Sequence, residues 1–168
     1  MSVRPANFVD IPRLVDIMVE AHATSRDAAL TTFDEIAAKQ LLAQSIQRHG
    51  QLNYMGSLVL VAERDNEVTG FVIGIIDLVY PCLKELKVTD LLFIVTEQID
   101  PRDARDIVLA LIRWAEDNPK VIKILLGATD DATDWTRVAG LYTGAGLEQC
   151  GGLYRIDFTE PRQQAEGS

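Results

Sequence analysis

Between residues 91 and 147 the chain passes through an apolar strand, an abrupt Asp100-Pro101 helix start, a second apolar strand and a short helix ending Leu141-Tyr142-Thr143-Gly144-Ala145-Gly146-Leu147. The first strand, 91–96, is apolar on both faces and is therefore expected to be central. Asp100 is suited to cap the next helix and Pro101 to its first position, where a missing N–H costs nothing. Ile107, Val108, Leu111, Ile112 and Ala115 recur at helical spacing and give that helix a packing face. Residues 121–126 make the following strand. Asp130 or Asp131 is the expected cap of the short helix, which runs through Trp135, Val138, Leu141 and Tyr142 to Gly144 or Gly146.

Upstream, residues 2–6 read as an opening strand and Asp10 as the cap of a helix with Pro12 in its first turn. Ile11, Leu14, Val15, Met18 and Ala21 lie on one face of it. Thr32, with Glu35 three residues later, makes a capping-box pattern for a second helix that ends near Gly50 and turns Ala38, Leu41, Leu42, Ser45 and Ile46 inward. Two runs rich in Val, Ile and Leu, 57–63 and 68–76, flank the polar Arg64-Asp65-Asn66-Glu67, which is hairpin chemistry and makes them antiparallel. A last strand is predicted over 153–158. These elements predict an α/β (α+β) fold with a mixed, mostly antiparallel central sheet and helices on both faces. Residues 1–160 are expected to form one domain. Residues 161–168 offer no large apolar anchor and read as a flexible tail.

The chain of 168 residues, 48% hydrophobic, is long enough for one sizeable core. A net charge of -9 opposes general affinity for nucleic acid or anionic membranes, since both would be repelled before any specific contact formed. The apolar run 71–80 is broken by Gly74 and Asp77 and is too short to span a bilayer. Cys82 and Cys150 are a poor disulfide framework, and no N-terminal segment has signal-peptide character, so a soluble protein of the reducing cytoplasm is expected. His22 and His49 lack the spaced partners of a metal site, and no metal is expected.

The element order, with Val3-Arg4-Pro5-Ala6 before Asp10, Val68-Thr69-Gly70-Phe71-Val72 after the hairpin and Leu141-Tyr142 before Gly146-Leu147-Glu148, resembles the GNAT superfamily of N-acetyltransferases over nearly the whole chain. The resemblance implies transfer of an acyl group from acetyl-CoA, used as a co-substrate, to a small-molecule or peptide amine by direct attack. It implies that Tyr142 is the general acid for the leaving thiolate and that the backbone of Ile94 and Val95 pairs with the pantetheine arm. It also makes a homodimer through sheet edges and C-terminal strands an expectation.

Where the family places a Gly-rich loop whose amides bind the pyrophosphate at a helix N-terminus, this sequence puts Ile99 at the Arg/Gln position, Arg102 at the first Gly and Ala104 at the last. Only Ala104 matches the pattern. Asp100 and Asp103 compete for the same helix-start field that attracts a phosphate, and Pro101 removes one N–H. Arg102 and Arg105 carry guanidinium groups suited to phosphate. Two readings follow, a phosphate site rebuilt with arginines or one that is lost, and the second makes the chain a non-catalytic interaction or assembly protein. A donor lacking the CoA pyrophosphate, such as an acyl carrier arm, is a third. Glu97 and Asp90, at the two ends of the central strand, are the candidates for the base that deprotonates the amine. Trp135 stands where many relatives of the family carry a CoA-facing Asn.

Overall fold

The computed structural model describes residues 3–131 and 134–158. Five strands form one sheet in the order β1-β2-β3-β4-β5. β1 (Val3–Pro5), β2 (Ser57–Arg64), β3 (Glu67–Leu78) and β4 (Leu86–Val95) are antiparallel neighbours, and β5 (Val121–Leu125) joins β4 in parallel. A parallel pair needs a long crossover, and α3 (Pro101–Glu116) supplies it. α1 (Ile11–Thr24) and α2 (Glu35–Gln47) cover the opposite face, and α4 (Trp135–Gly144) follows β5. The architecture is the mixed, mostly antiparallel sheet between helices that the sequence predicts.

Alternation along β2 and β3 divides the core into two layers. Val59, Val61, Phe71 and Ile73 pack beneath α1 and α2, while Leu58, Leu60, Val72 and Ile76 pack beneath α3. Each fully buried Phe or Ile of these strands contributes about 1.5–3 kcal/mol. Gly74 sets how close α3 approaches the sheet, because a Cβ there would stand 2.3 Å from Leu111 Cδ1.

Asp100 and Pro101 start α3 as predicted, but two other caps differ. Asp34, directly before the helix, takes the Ala37 N–H at 3.0 Å and begins α2 in place of Thr32. Asp134 begins α4, because the carboxylates of Asp130 and Asp131 are engaged by Arg155 at 2.8 and 2.6 Å. The strand expected over 153–158 does not form. Alternation specifies a face but not a partner, and no strand among the described residues pairs with this segment, so Leu153, Tyr154 and Ile156 stand exposed. The expected tail, 161–168, lies outside the described residues.

The first strand is tied to the first helix by charge. Arg4 donates two hydrogen bonds to the buried Asp10, at 2.9 and 2.8 Å, and also pairs with Glu63. The Arg4 guanidinium holds the Asp10 carboxyl below the usual carboxylate range. Arg4→Ala leaves that carboxylate without its cation, and an expected loss of about 2 kcal/mol follows, less than for a fully buried pair because Arg4 is partly exposed. A depressed pKa stabilises above the unfolded carboxylate value and loses that stabilisation as pH falls through the folded value. Urea unfolding is therefore expected to show the gap between variant and wild type closing in acid.

Candidate active site

The regular ladder of the sheet breaks at Asp90. Pairing between β3 and β4 passes from Ile73↔Leu92 to Gly74↔Asp90, so that Leu91 has no partner opposite it and forms a bulge. Pairing between β4 and β5 ends one residue earlier, at Thr89↔Leu125. From Leu92 to Val95, β4 therefore keeps β3 on one side while β5 pairs with none of it on the other. β5 ends at Leu125, and the stretch of β4 beyond it has no strand on that side.

Two side chains meet where that pairing ends. The Asp90 carboxylate accepts the Gly127 N–H at 2.9 Å, and the Tyr142 hydroxyl donates to the Gly127 carbonyl at 3.1 Å. One peptide beyond β5 is thus gripped by a carboxylate from β4 and a phenol from α4. The Phe93 ring, 6.3 Å from the Tyr142 ring, packs beside the phenol. Burial pushes the Asp90 carboxyl above its ordinary range, and the Gly127 N–H offsets this in part. Burial, with the nearby charge of Asp90, pushes the Tyr142 phenol up as well. A carboxylate so placed is a stronger base than one in water, and the phenol keeps its proton at neutral pH.

Asp90 and Tyr142, read separately from the sequence, are brought together here. Glu97 is not. It is exposed in the turn after β4, and the five residues of β4 that follow Asp90 advance about 3.3 Å each. Ile94 and Val95 lie on the stretch that β5 leaves unpaired, opposite Phe71 and Gly70 of β3. Ala104 is buried in the core under α3. Arg102 and Arg105 are exposed near the start of that helix. Trp135 is half exposed at the start of α4.

Sequence reasoning misses three participants. Gly127 acts through its backbone alone. Leu91 matters because it is the bulge. Arg64, part of the predicted hairpin turn, instead ends β2 and reaches across to α3, where it pairs with Asp100 at 2.9 Å and Asp103 at 3.2 Å. Its place in a charged tetrapeptide was the only available signal.

These residues fit the two halves of acetyl-CoA differently. The open edge of β4 has the backbone groups that an extended pantetheine arm pairs with, next to Asp90 and Tyr142. The start of α3 does not fit a diphosphate. Asp100 takes the Arg102 N–H at 2.8 Å, and Arg64 bridges Asp100 and Asp103.

No protein-family model matches the chain, and no curated protein matches it. Solved structures do. A ribosomal-protein-alanine N-acetyltransferase from Brucella melitensis is 23% identical, with a TM-score of 0.66 over 90% of this chain and 86% of that one. A Bacillus halodurans protein is 17% identical, with a TM-score of 0.69 over 94% of this chain and 99% of its own. An acetyltransferase from Trypanosoma brucei, 10% identical, gives a TM-score of 0.64 over 93% of this chain and 98% of that one. At these identities the likeness is one of fold, and it spans almost the whole of each chain. The protein has the GNAT fold, the fold that its own sequence resembles.

Proposed function

We propose that this protein is an N-acyltransferase that moves an acyl group from a thioester to an amine along the edge of β4 that β5 leaves unpaired. The observation that carries the reading is the joint hold of Asp90 and Tyr142 on Gly127 at the point where the pairing of β4 with β5 ends. Asp90, with its raised pKa, takes a proton from the attacking amine. The backbone N–H groups of β4 that have no partner in β5 polarise the thioester carbonyl. As the C–N bond forms and the C–S bond breaks, the Tyr142 hydroxyl gives its proton to sulfur, and solvent carries the proton from Asp90 back to the phenolate. Acetyl-CoA is the donor that the resemblance implies. The acceptor class is a cationic amine, in keeping with the net charge of -9. A cytoplasmic setting belongs to the same reading, with Cys82 and Cys150 both free and exposed. No helix among the described residues is long and apolar enough to cross a membrane.

A second reading, a non-catalytic assembly module, is favoured by the self-capped start of α3. Tyr142→Phe separates the two. It keeps the ring against Phe93 and removes only the hydroxyl. Thiol release from acetyl thioesters with a panel of amines is expected to fall about 100-fold, while loss of one hydrogen bond lowers stability by about 1 kcal/mol. A wild type that releases no thiol above the uncatalysed rate with any amine would leave only the assembly reading.

A further inference from the structure

At the N-terminus of α3 every N–H of the first turn is already used. Pro101 has none. The Arg102 N–H goes to the Asp100 carboxylate at 2.8 Å, and those of Asp103 and Ala104 go to the Asp100 carbonyl at 2.9 and 3.2 Å. The helix field that would attract an anion is met instead by two carboxylates of the chain itself, Asp100 at the cap and Asp103 in the first turn. The Asp103 side chain is only 3% exposed. Arg64 bridges the two, with one guanidinium nitrogen 2.9 Å from Asp100 and another 3.2 Å from Asp103, and its one positive charge leaves the trio net negative. The hydrogen bond from the Arg102 N–H, with Arg64 nearby, holds the Asp100 carboxyl below its ordinary range, so it remains charged at neutral pH.

The surroundings repel rather than attract. A shallow depression in front of the helix is bordered by Asp65, Glu67, Asp100 and Asp103 against the single cation Arg64. A diphosphate brought there meets four carboxylates, a guanidinium that is already engaged, and no free first-turn amide. Arg102 and Arg105 do not line this depression.

We propose that the chain's own carboxylates close the α3 N-terminus to phosphate, and that the protein recognises its acyl donor through the acyl-pantetheine arm alone. The donor class is an acyl-pantetheine thioester to which a diphosphate adds no binding. This rests on the reading of the unpaired β4 edge as an acyl-transfer site. The closure of α3 stands on its own contacts.

Calorimetric titration of the full chain compares acetyl-CoA, S-acetyl-pantetheine and inorganic pyrophosphate, in wild type and in the double variant Asp100→Gly, Asp103→Asn. The variant frees the Arg102 N–H and Arg64 and removes two negative charges, and a melting curve confirms that it is folded. Wild type is expected to bind the two thioesters within threefold of each other and to bind no pyrophosphate. The variant is expected to gain tenfold or more for acetyl-CoA over S-acetyl-pantetheine, with an affinity that falls as salt rises. A tenfold preference of wild type for acetyl-CoA, or pyrophosphate binding to wild type, overturns the proposal. Failure of both thioesters to bind wild type sinks the acyl-transfer reading and the donor class with it. Pyrophosphate binding by the variant and not by wild type then still establishes the closure.

Discussion

Asp90→Asn is expected to lower acyl transfer by about 10²- to 10⁴-fold, the usual contribution of a positioned base, without lowering stability at neutral pH. The amide oxygen of Asn keeps the bond to the Gly127 N–H, so the contact survives while the charge is lost. Burial raises the pKa of this carboxyl, which means that its charged form is disfavoured in the folded protein. That penalty is absent below the ordinary carboxylate range and appears as pH rises through the elevated folded value. The variant should therefore melt with wild type in acid and above it toward neutrality. Melting curves from acid to neutral pH read the stability difference, and thiol release reads the activity. A variant that is less stable than wild type at neutral pH and keeps its activity would make Asp90 a structural bridge. The opposite result, activity lost and stability held, is the signature of a group placed for chemistry at the expense of the fold.

Gly56→Ala is expected to destabilise the protein by on the order of 3 kcal/mol, through backbone overpacking. A Cβ at this position would stand 1.9 Å from the Gln51 carbonyl oxygen and 2.9 Å from that of Asn53, and both are backbone atoms that no rotamer change can move aside. The turn cannot easily shift as a whole. The Gly56 N–H donates to Asn53 at 2.8 Å, its carbonyl accepts the Ile76 N–H at 2.9 Å, and Met55 donates to the Ile76 carbonyl at 2.9 Å. Relief of the clash therefore loosens the junction that starts β2 against β3. Gly140→Ala is the matched control. Nothing lies within 4 Å of a Cβ there, in the middle of α4, and the better helix propensity of Ala favours the variant by up to about 1 kcal/mol. Urea unfolding of the pair distinguishes a steric effect from a general dislike of glycine replacement. Equal and small effects would show that the turn before β2 is soft.

Those two glycines also mark where reading the sequence stops. Nothing in the neighbouring residues separates Gly56 from Gly140, because what a Cβ meets depends on segments folded against it. The same holds at the site. Asp90 was legible as a charge at the start of an apolar strand and Tyr142 as the phenol of a short helix, but their shared hold on Gly127 was not, since a backbone group carries no side-chain signal. The bulge at Leu91 left no mark among the consecutive apolar residues of β4.

Local physics accounts for what the sequence determined. Helical spacing placed α1, α2 and α3, the Asp100-Pro101 pair placed the start of α3, and the polar break between two Val- and Ile-rich runs placed the β2–β3 hairpin. Each rests on contacts within one or two turns of chain. The order of these elements was enough to indicate the sheet and the resemblance. Tertiary structure alone decided what occupies the start of α3. From the sequence, Arg102 and Arg105 competed with Asp100 and Asp103 for the role of the α3 N-terminus. Arg64, arriving from β2 at 2.9 Å from Asp100, engaged the carboxylates and held them at the helix start. Periodicity and capping act over a few residues, whereas an ion pair between residues 64 and 100 exists only after the sheet has brought β2 alongside α3.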